Sequence, residues 1–180
     1  MTDETSNIAT GGYSGDALGV ATGGLWQDYL IDRPEASKRQ MIVNAVGRRL
    51  NTILAAAGYK TDLGSSIFLW RPMPFEEAEL PAANYRDVAG SPEPDGPIGQ
   101  FRWGLDIDIQ IVASGSSSPQ SMRDLIQDVY RAIGTDTRWG GLAVYTGQPS
   151  DEITVDQQDK FFTGAALKLR IIYDSPLWEL

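Results

Sequence analysis

Two segments of this chain alternate apolar and polar side chains with period two, and they constrain the fold more than anything else in it. In the first, Leu105, Ile107, Ile109 and Ile111 point one way while Asp106, Asp108 and Gln110 point the other. In the second, Ala165, Leu167, Leu169, Ile171 and Tyr173 share a face, and Lys168, Arg170 and Asp174 take the opposite one. Successive side chains of a strand leave on opposite sides, so each segment reads as a strand with one buried face and one wet face. Between them, Met122, Leu125, Ile126, Val129, Tyr130 and Ile133 recur at three and four, the stripe of an amphipathic helix. Ser118 stands at its N-cap, Pro119 at the first helical position and Gly134 at its end. With a strand at 142–146, a short one at 153–155 and a final one at 161–174, residues 101–180 form a strand, helix, strand, strand unit.

Upstream, Ser37 and Gln40 match a capping box that opens a second helix. Its apolar stripe runs through Ile42, Ala45, Val46, Leu50, Ile53, Leu54 and Ala57 to Gly58, which suits a left-handed C-terminal position. A short β run over 65–72 ends at Pro72. The stretch 73–99 holds five of the ten prolines and reads as a long loop, with a short strand near 85–88. Residues 1–36 are rich in Gly, Ser and Thr and read as a flexible arm, broken by the aromatic patch of Leu25, Trp26, Tyr29, Leu30 and Ile31. Trp26 and Tyr29 are candidate docking residues of that arm. The fold expected is α+β: a mostly antiparallel sheet with two amphipathic helices packed on one face, long loops and an extended N-terminal arm. A chain of 180 residues suits one such domain over 37–180.

The composition narrows the chemistry. There is no cysteine and no histidine, which excludes disulfides, thiolate nucleophiles, Ser-His-Asp triads, HExxH zinc sites and most transition-metal sites. Phosphate-binding glycine patterns are absent. With 24 acidic and 15 basic residues the net charge is −9, which disfavours tight binding to a phosphate backbone. No apolar run approaches the roughly 18 to 20 residues of a membrane span, and the N-terminus lacks the pattern of a secretory signal. No cofactor and no metal is expected.

Asp106 and Asp108 project from the same strand face about 7 Å apart. Such a pair could contribute to a Mg²⁺ or Ca²⁺ site, but the further oxygen ligands are not marked in the sequence. The simpler reading sets them against Lys168 and Arg170, across the sheet or across a subunit boundary. Glu76, Glu77 and Glu79 could serve as acid/base carboxylates, but in a proline-bounded loop they read as solvated acids, and with Tyr85 as a partner-contact loop. Trp70, Trp103 and Trp139 stand at strand boundaries, where half-buried aromatics seal a core or an interface.

These segments, in this order, resemble the tail terminator (tail completion) proteins of long-tailed bacteriophages. The resemblance rests on RRLNTILAAAGYKTDLGS, EEAELPAANYRD, LDIDIQIVASG, MRDLIQDVYRAIG, WGGLAVYTG and FFTGAALKLRIIYDSPLW, and covers roughly residues 38–178. It implies a non-enzymatic virion protein whose copies close into a ring, hexameric in the family. The ring sits on the head-proximal end of the tail tube, halts tube polymerisation and meets the head-side connector. It also implies DNA passing through the ring unbound, with Asp106 and Asp108 as candidate lumen charges that repel phosphate. A head–tail connector or tube subunit, and a small carboxylate hydrolase built on Asp106, Asp108 and a loop glutamate, are the alternatives.

Overall fold

The two alternating segments become the central pair of strands. In the computed structural model, which describes residues 36–114, 119–156 and 162–178, β3 (Gln100–Ser114) and β6 (Phe162–Pro176) run antiparallel along their whole length. Leu105 opposes Ile171, Ile107 opposes Leu169 and Ile109 opposes Leu167, so the apolar faces coincide. All six are at most 2% exposed. Each such side chain contributes roughly 1.5 to 3 kcal/mol through burial, which a slip of one residue would turn outward.

The helices α1 (Lys38–Leu50) and α2 (Pro119–Gly134) close this face. Ile42, Val46 and Leu50 of α1 and Met122, Leu125 and Val129 of α2 join the strand residues in one core. β2 (Ala82–Pro92) pairs antiparallel with β3, and the short β1 (Ile67–Leu69) runs parallel to β2. On the far side of β6 lie β4 (Tyr145–Thr146) and β5 (Ser150–Asp156), both antiparallel to it. The result is an α+β fold with a mostly antiparallel six-stranded sheet. Its residues from Ala36 onward belong to one unit. Residues 1–35 of the expected arm, Trp26 and Tyr29 among them, lie outside the described residues, as does Ser118.

The expected loop over 73–99 needs the largest correction, because the short strand expected near 85–88 extends over eleven residues as β2. Ala82, Ala83, Asn84 and Tyr85 are all buried, flanked by β1 and β3, so no alternation marks them. Pro81 precedes the strand and Pro92 ends it, where a missing N–H is tolerated. What remains of the loop is two short connections. One is held by Arg71, whose guanidinium donates to both oxygens of Glu79 at 2.8 Å and lies over the rings of Phe68 and Phe75, 4.6 and 4.8 Å away.

Three boundaries also move. Ser37 Oγ accepts from Gln40 N at 3.2 Å as expected, but α1 stops at Leu50 and not at Gly58. Ile53 leaves the helical path to bury itself completely, and its carbonyl accepts from Gly64 N at 2.8 Å. Gly58, at φ 85°, therefore ends a separate 3₁₀ turn over Ala55–Ala57. The run 65–72 begins inside a 3₁₀ turn, Leu63–Ser66, and only Ile67–Leu69 of it is strand. The strand expected over 142–146 shrinks to Tyr145–Thr146, because Trp139, Gly140 and Gly141 take φ values of 55°, 71° and 88° and curl the chain into a turn. Two glycines in succession make that left-handed path accessible.

Candidate functional site

The sheet face opposite the helices carries the even-numbered residues of β3 and β6, and it is here that the sequence places its charges. Arg170 sits at its centre. Its Nη1 donates to Asp106 Oδ1 and Oδ2 at 2.7 and 2.9 Å, Nη2 to Ser91 Oγ at 2.7 Å, and Nε to Glu93 Oε1 at 3.1 Å. Asp106 and Arg170 are direct cross-strand partners in the register, so the period-two reading brings them together as expected. Gly104 supplies the room: a Cβ there would stand 2.7 Å from Arg170 Cζ and 2.6 Å from Glu93 Oε1. The carboxylates of Glu93 and then Asp106 hold the guanidinium pKa above its ordinary value.

Two rows further along, past Gly104 and Ile172, Arg102 grips Asp174 with two bonds of 2.7 and 3.0 Å. That contact lowers the Asp174 carboxyl below the usual carboxylate range. On the other side of Arg170, Asp108 stands between Arg86 and Lys168 in the register. It makes its ion pair with Arg86, at 3.8 Å, while Lys168 is exposed and forms no ion pair among the described residues. The expected opposition of two acids to two bases is present in the register, but only Asp106 forms an ion pair with its opposite base, because Arg86 of β2 flanks Asp108 on its other side. A groove of about 480 Å³ opens over this row, lined by Val88, Asp106, Asp108, Gln148, Lys168 and Arg170.

The electrostatic character of the face follows from its partners. Around Arg170, Glu93, Asp106, Asp108 and Asp174 stand among Arg86, Arg102, Lys168 and Arg170, and Glu152 of β5 shares this face opposite Ala166. Asp106 and Asp108, the candidate lumen charges, each have an arginine beside them. The negative excess lies elsewhere, with six acids and one base in residues 1–35 alone. Arg170 is 41% and Asp106 35% exposed, so water screens the pair, and contacts of this kind contribute only about 0.2 to 1 kcal/mol. Their effect is to fix the shape of the surface.

The other candidates are scattered. Glu79 is held by Arg71, which draws its carboxyl below the usual range, and Glu76 and Glu79 cap the 3₁₀ turn Glu77–Glu79. None of the three lines the groove beside Asp106 and Asp108. Tyr85 does not lie on a contact loop: it is 6% exposed within β2, and a Cβ added at Gly47 of α1 would fall 2.9 Å from its Cζ. Trp139 is 3% exposed with Nε1 bonded to Thr146 Oγ1 at 2.8 Å, so it seals the core. Trp70 is 54% exposed, and its Nε1 donates to Asp87 Oδ1 at 2.8 Å. Burial pushes the Asp87 carboxyl up, but the hydrogen bonds from Trp70 and Arg39 outweigh it and hold the group below the usual range.

Two polar contacts were invisible to the sequence reading. Asp128, 1% exposed on the buried face of α2, accepts from the Lys60 N–H at 3.0 Å, and from the Thr61 N–H and hydroxyl at 2.8 Å each. The signal was an acid inside the apolar stripe, between Leu125 and Ala132. Tyr130 on the same helix donates to Asp151 Oδ1 at 2.7 Å, tying the start of β5 down. Burial and then that carboxylate push its phenol up to about 12.

Among the described residues no group of three or more acids could hold a metal ion, and no helix is long and apolar enough to cross a membrane. The fold and the face together define a class, an α+β domain whose sheet is covered on one side and presents a charge-paired surface on the other. No protein-family model and no curated protein matches this chain.

Proposed function

We propose that this chain is a structural virion protein of the tail terminator type, whose copies form a ring that caps the tail tube and presents a joining surface to the head-side connector. One observation carries the reading. The six-stranded sheet buries only its helix-covered face, and among the described residues β1 and β5 each leave an edge unpaired. Unpaired edges are a liability in a free monomer and a resource in an assembly. Different surfaces meeting head to tail generate a ring when the rotation between copies closes.

On this reading the partners are further copies of the chain, the tube protein and the connector protein, and the place of action is the head-proximal end of the tail. DNA passing through the ring would meet the matched charges around Arg170, which neither attract nor strongly repel phosphate. A connector or tube subunit is the neighbouring reading, and it differs in outcome: a tube subunit stacks into polymers, a terminator stops at one ring.

Native mass measurement and negative-stain imaging, followed by addition of the protein to growing tail tubes, test the proposal. A single closed ring that arrests tube growth is the expected result. A chain that stays monomeric and leaves tube growth unchanged would sink it, and stacked polymers would move it to the tube subunit.

A further inference from the structure

The connection between β2 and β3, residues 93–99, carries a chemistry that the charge-paired face does not use. Asp95–Gly96 is the one place in the sequence where an aspartate or asparagine precedes glycine. Every other aspartate and asparagine is followed by a residue with a side chain. Because Gly96 has no Cβ, nothing shields its amide nitrogen from the carboxyl carbon of Asp95, and attack there closes a five-membered ring.

The fold leaves both reacting groups free. Asp95 is exposed and adopts φ 64°, a left-handed conformation that aspartate tolerates better than most residues. Among the described residues its carboxylate makes no hydrogen bond and no ion pair, since Arg102, which senses its charge, gives its hydrogen bonds to Asp174. The Gly96 N–H has no acceptor either. Pro94 and Pro97 carry no N–H, and the bonds that frame the connection lie at its ends, Glu93 N to Arg102 O at 2.8 Å and Gln100 N to Pro97 O at 3.0 Å. No backbone N–H between them is tied, so local opening costs little. Asp174, which precedes the small Ser175, is by contrast fixed in β6 by Arg102.

We infer that Asp95–Gly96 is a self-modification site, at which the main chain passes into isoaspartate with water as the only co-reactant. The Gly96 nitrogen bonds to Cγ of the protonated Asp95 carboxyl, the Cγ–OH bond breaks, and water leaves with the amide proton. A cyclic imide remains. Water then adds at the former main-chain carbonyl carbon, whose bond to nitrogen breaks; the nitrogen takes a proton and the carbon becomes a free carboxyl. The chain now runs through Cβ and Cγ, with its mass unchanged and its main chain one methylene longer. Gly96 has no room for that methylene, because a Cβ on it would already stand 3.0 Å from Arg102 N and 3.3 Å from Gln100 O. The modified turn must therefore push away from Arg102, the residue that holds Asp174 on the polar face. None of this depends on the ring reading.

The test ages the full chain at neutral pH, labels it with an isoaspartyl-specific methyltransferase and a radioactive methyl donor, and locates the label by peptide mapping with electron-transfer fragmentation. More label is expected at Asp95 than at all other aspartates and asparagines together. Asp95→Glu, which keeps the charge but would need a six-membered ring, should lose that label. Asp95→Asn reaches the same imide by expelling ammonia, and should turn into a mixture of aspartate and isoaspartate with a gain in mass. In the aged, labelled fraction, backbone amides of 100–103 should exchange faster than in fresh protein. An Asp95 that takes no label, a label that persists in Asp95→Glu, or an Asp95→Asn chain that keeps its amide overturns the inference. Unchanged exchange over 100–103 overturns its reach to Arg102.

Discussion

Asp128 shows how much one side chain can decide. It occupies a position on α2 where the helical stripe calls for an apolar residue, and it is almost wholly buried. Its carboxylate replaces water with two backbone N–H groups and a hydroxyl from Lys60 and Thr61, and so pins the segment between α1 and β1 against α2. Removing an acceptor strands its donors, which costs more than the bond was worth. Asp128→Ala is expected to lower stability by roughly 2 to 3 kcal/mol, and Asp128→Asn, which keeps one oxygen, by about half as much. Urea unfolding should show this as a lower midpoint with an unchanged slope. A midpoint within error of the parent would remove Asp128 from the list of fold determinants. At the same scale, period two put Asp106 and Arg170 on polar strand faces, and the register of β3 with β6 then chose them as partners.

Among the elements, legibility followed the contrast between a covered and an uncovered side. β3, β6 and α2 each have one buried and one wet face, so their periods stand out in the sequence. β2 does not: Ala82–Tyr85 are uniformly buried, and nearby prolines suggest a loop. α1 was overextended because Ile53 and Leu54 continue a helical spacing, while the chain turns so that Ile53 can fill the core. β5 is attached to the helix layer through the Tyr130 hydroxyl, which donates to Asp151 at 2.7 Å and to Pro149 O at 3.3 Å. Tyr130→Phe should leave the core packed and loosen this strand, raising hydrogen-exchange rates over 150–154 in the unassociated chain about fivefold, the equivalent of roughly one hydrogen bond. Unchanged exchange there would show that the β6 ladder alone holds β5.

For the whole molecule, the absence of histidine has a direct consequence. No side chain with an ordinary pKa between about 5 and 8 is present, so stability should be nearly flat across that range. Below it, Asp87 and Asp174 contribute. Burial pushes Asp87 up, but hydrogen bonds from Trp70 and Arg39 to it, and from Arg102 to Asp174, hold both carboxyls below the ordinary range in the folded state. A depressed folded pKa means that the unfolded chain takes up protons first, so this stabilisation is complete above the carboxylate range and is lost as pH falls through it. At the alkaline end the sign reverses. Tyr130 is raised from 10.0 to about 12, and Tyr85 and Tyr173 are also raised, chiefly by burial. The unfolded chain then loses these protons first, and stability declines from about pH 10 toward 12. Melting temperatures across this range should trace a broad plateau with two falling limbs; a step between pH 6 and 7 would contradict the account.

By itself the sequence determined which strands are half-wet, which helix faces are apolar, that the acids of one strand and the bases of the other lie on polar faces, and that histidine and cysteine chemistry is excluded. All of these are local properties: side-chain period, capping residues and composition act within a few neighbouring positions. The tertiary structure alone decided that the strand near 85–88 reaches from Ala82 to Pro92, that Asp128 closes a buried contact, and that Arg86 and not Lys168 forms the ion pair with Asp108. Those depend on which segments distant in the chain become neighbours, and burial on both sides erases the periodic signal that would have announced them.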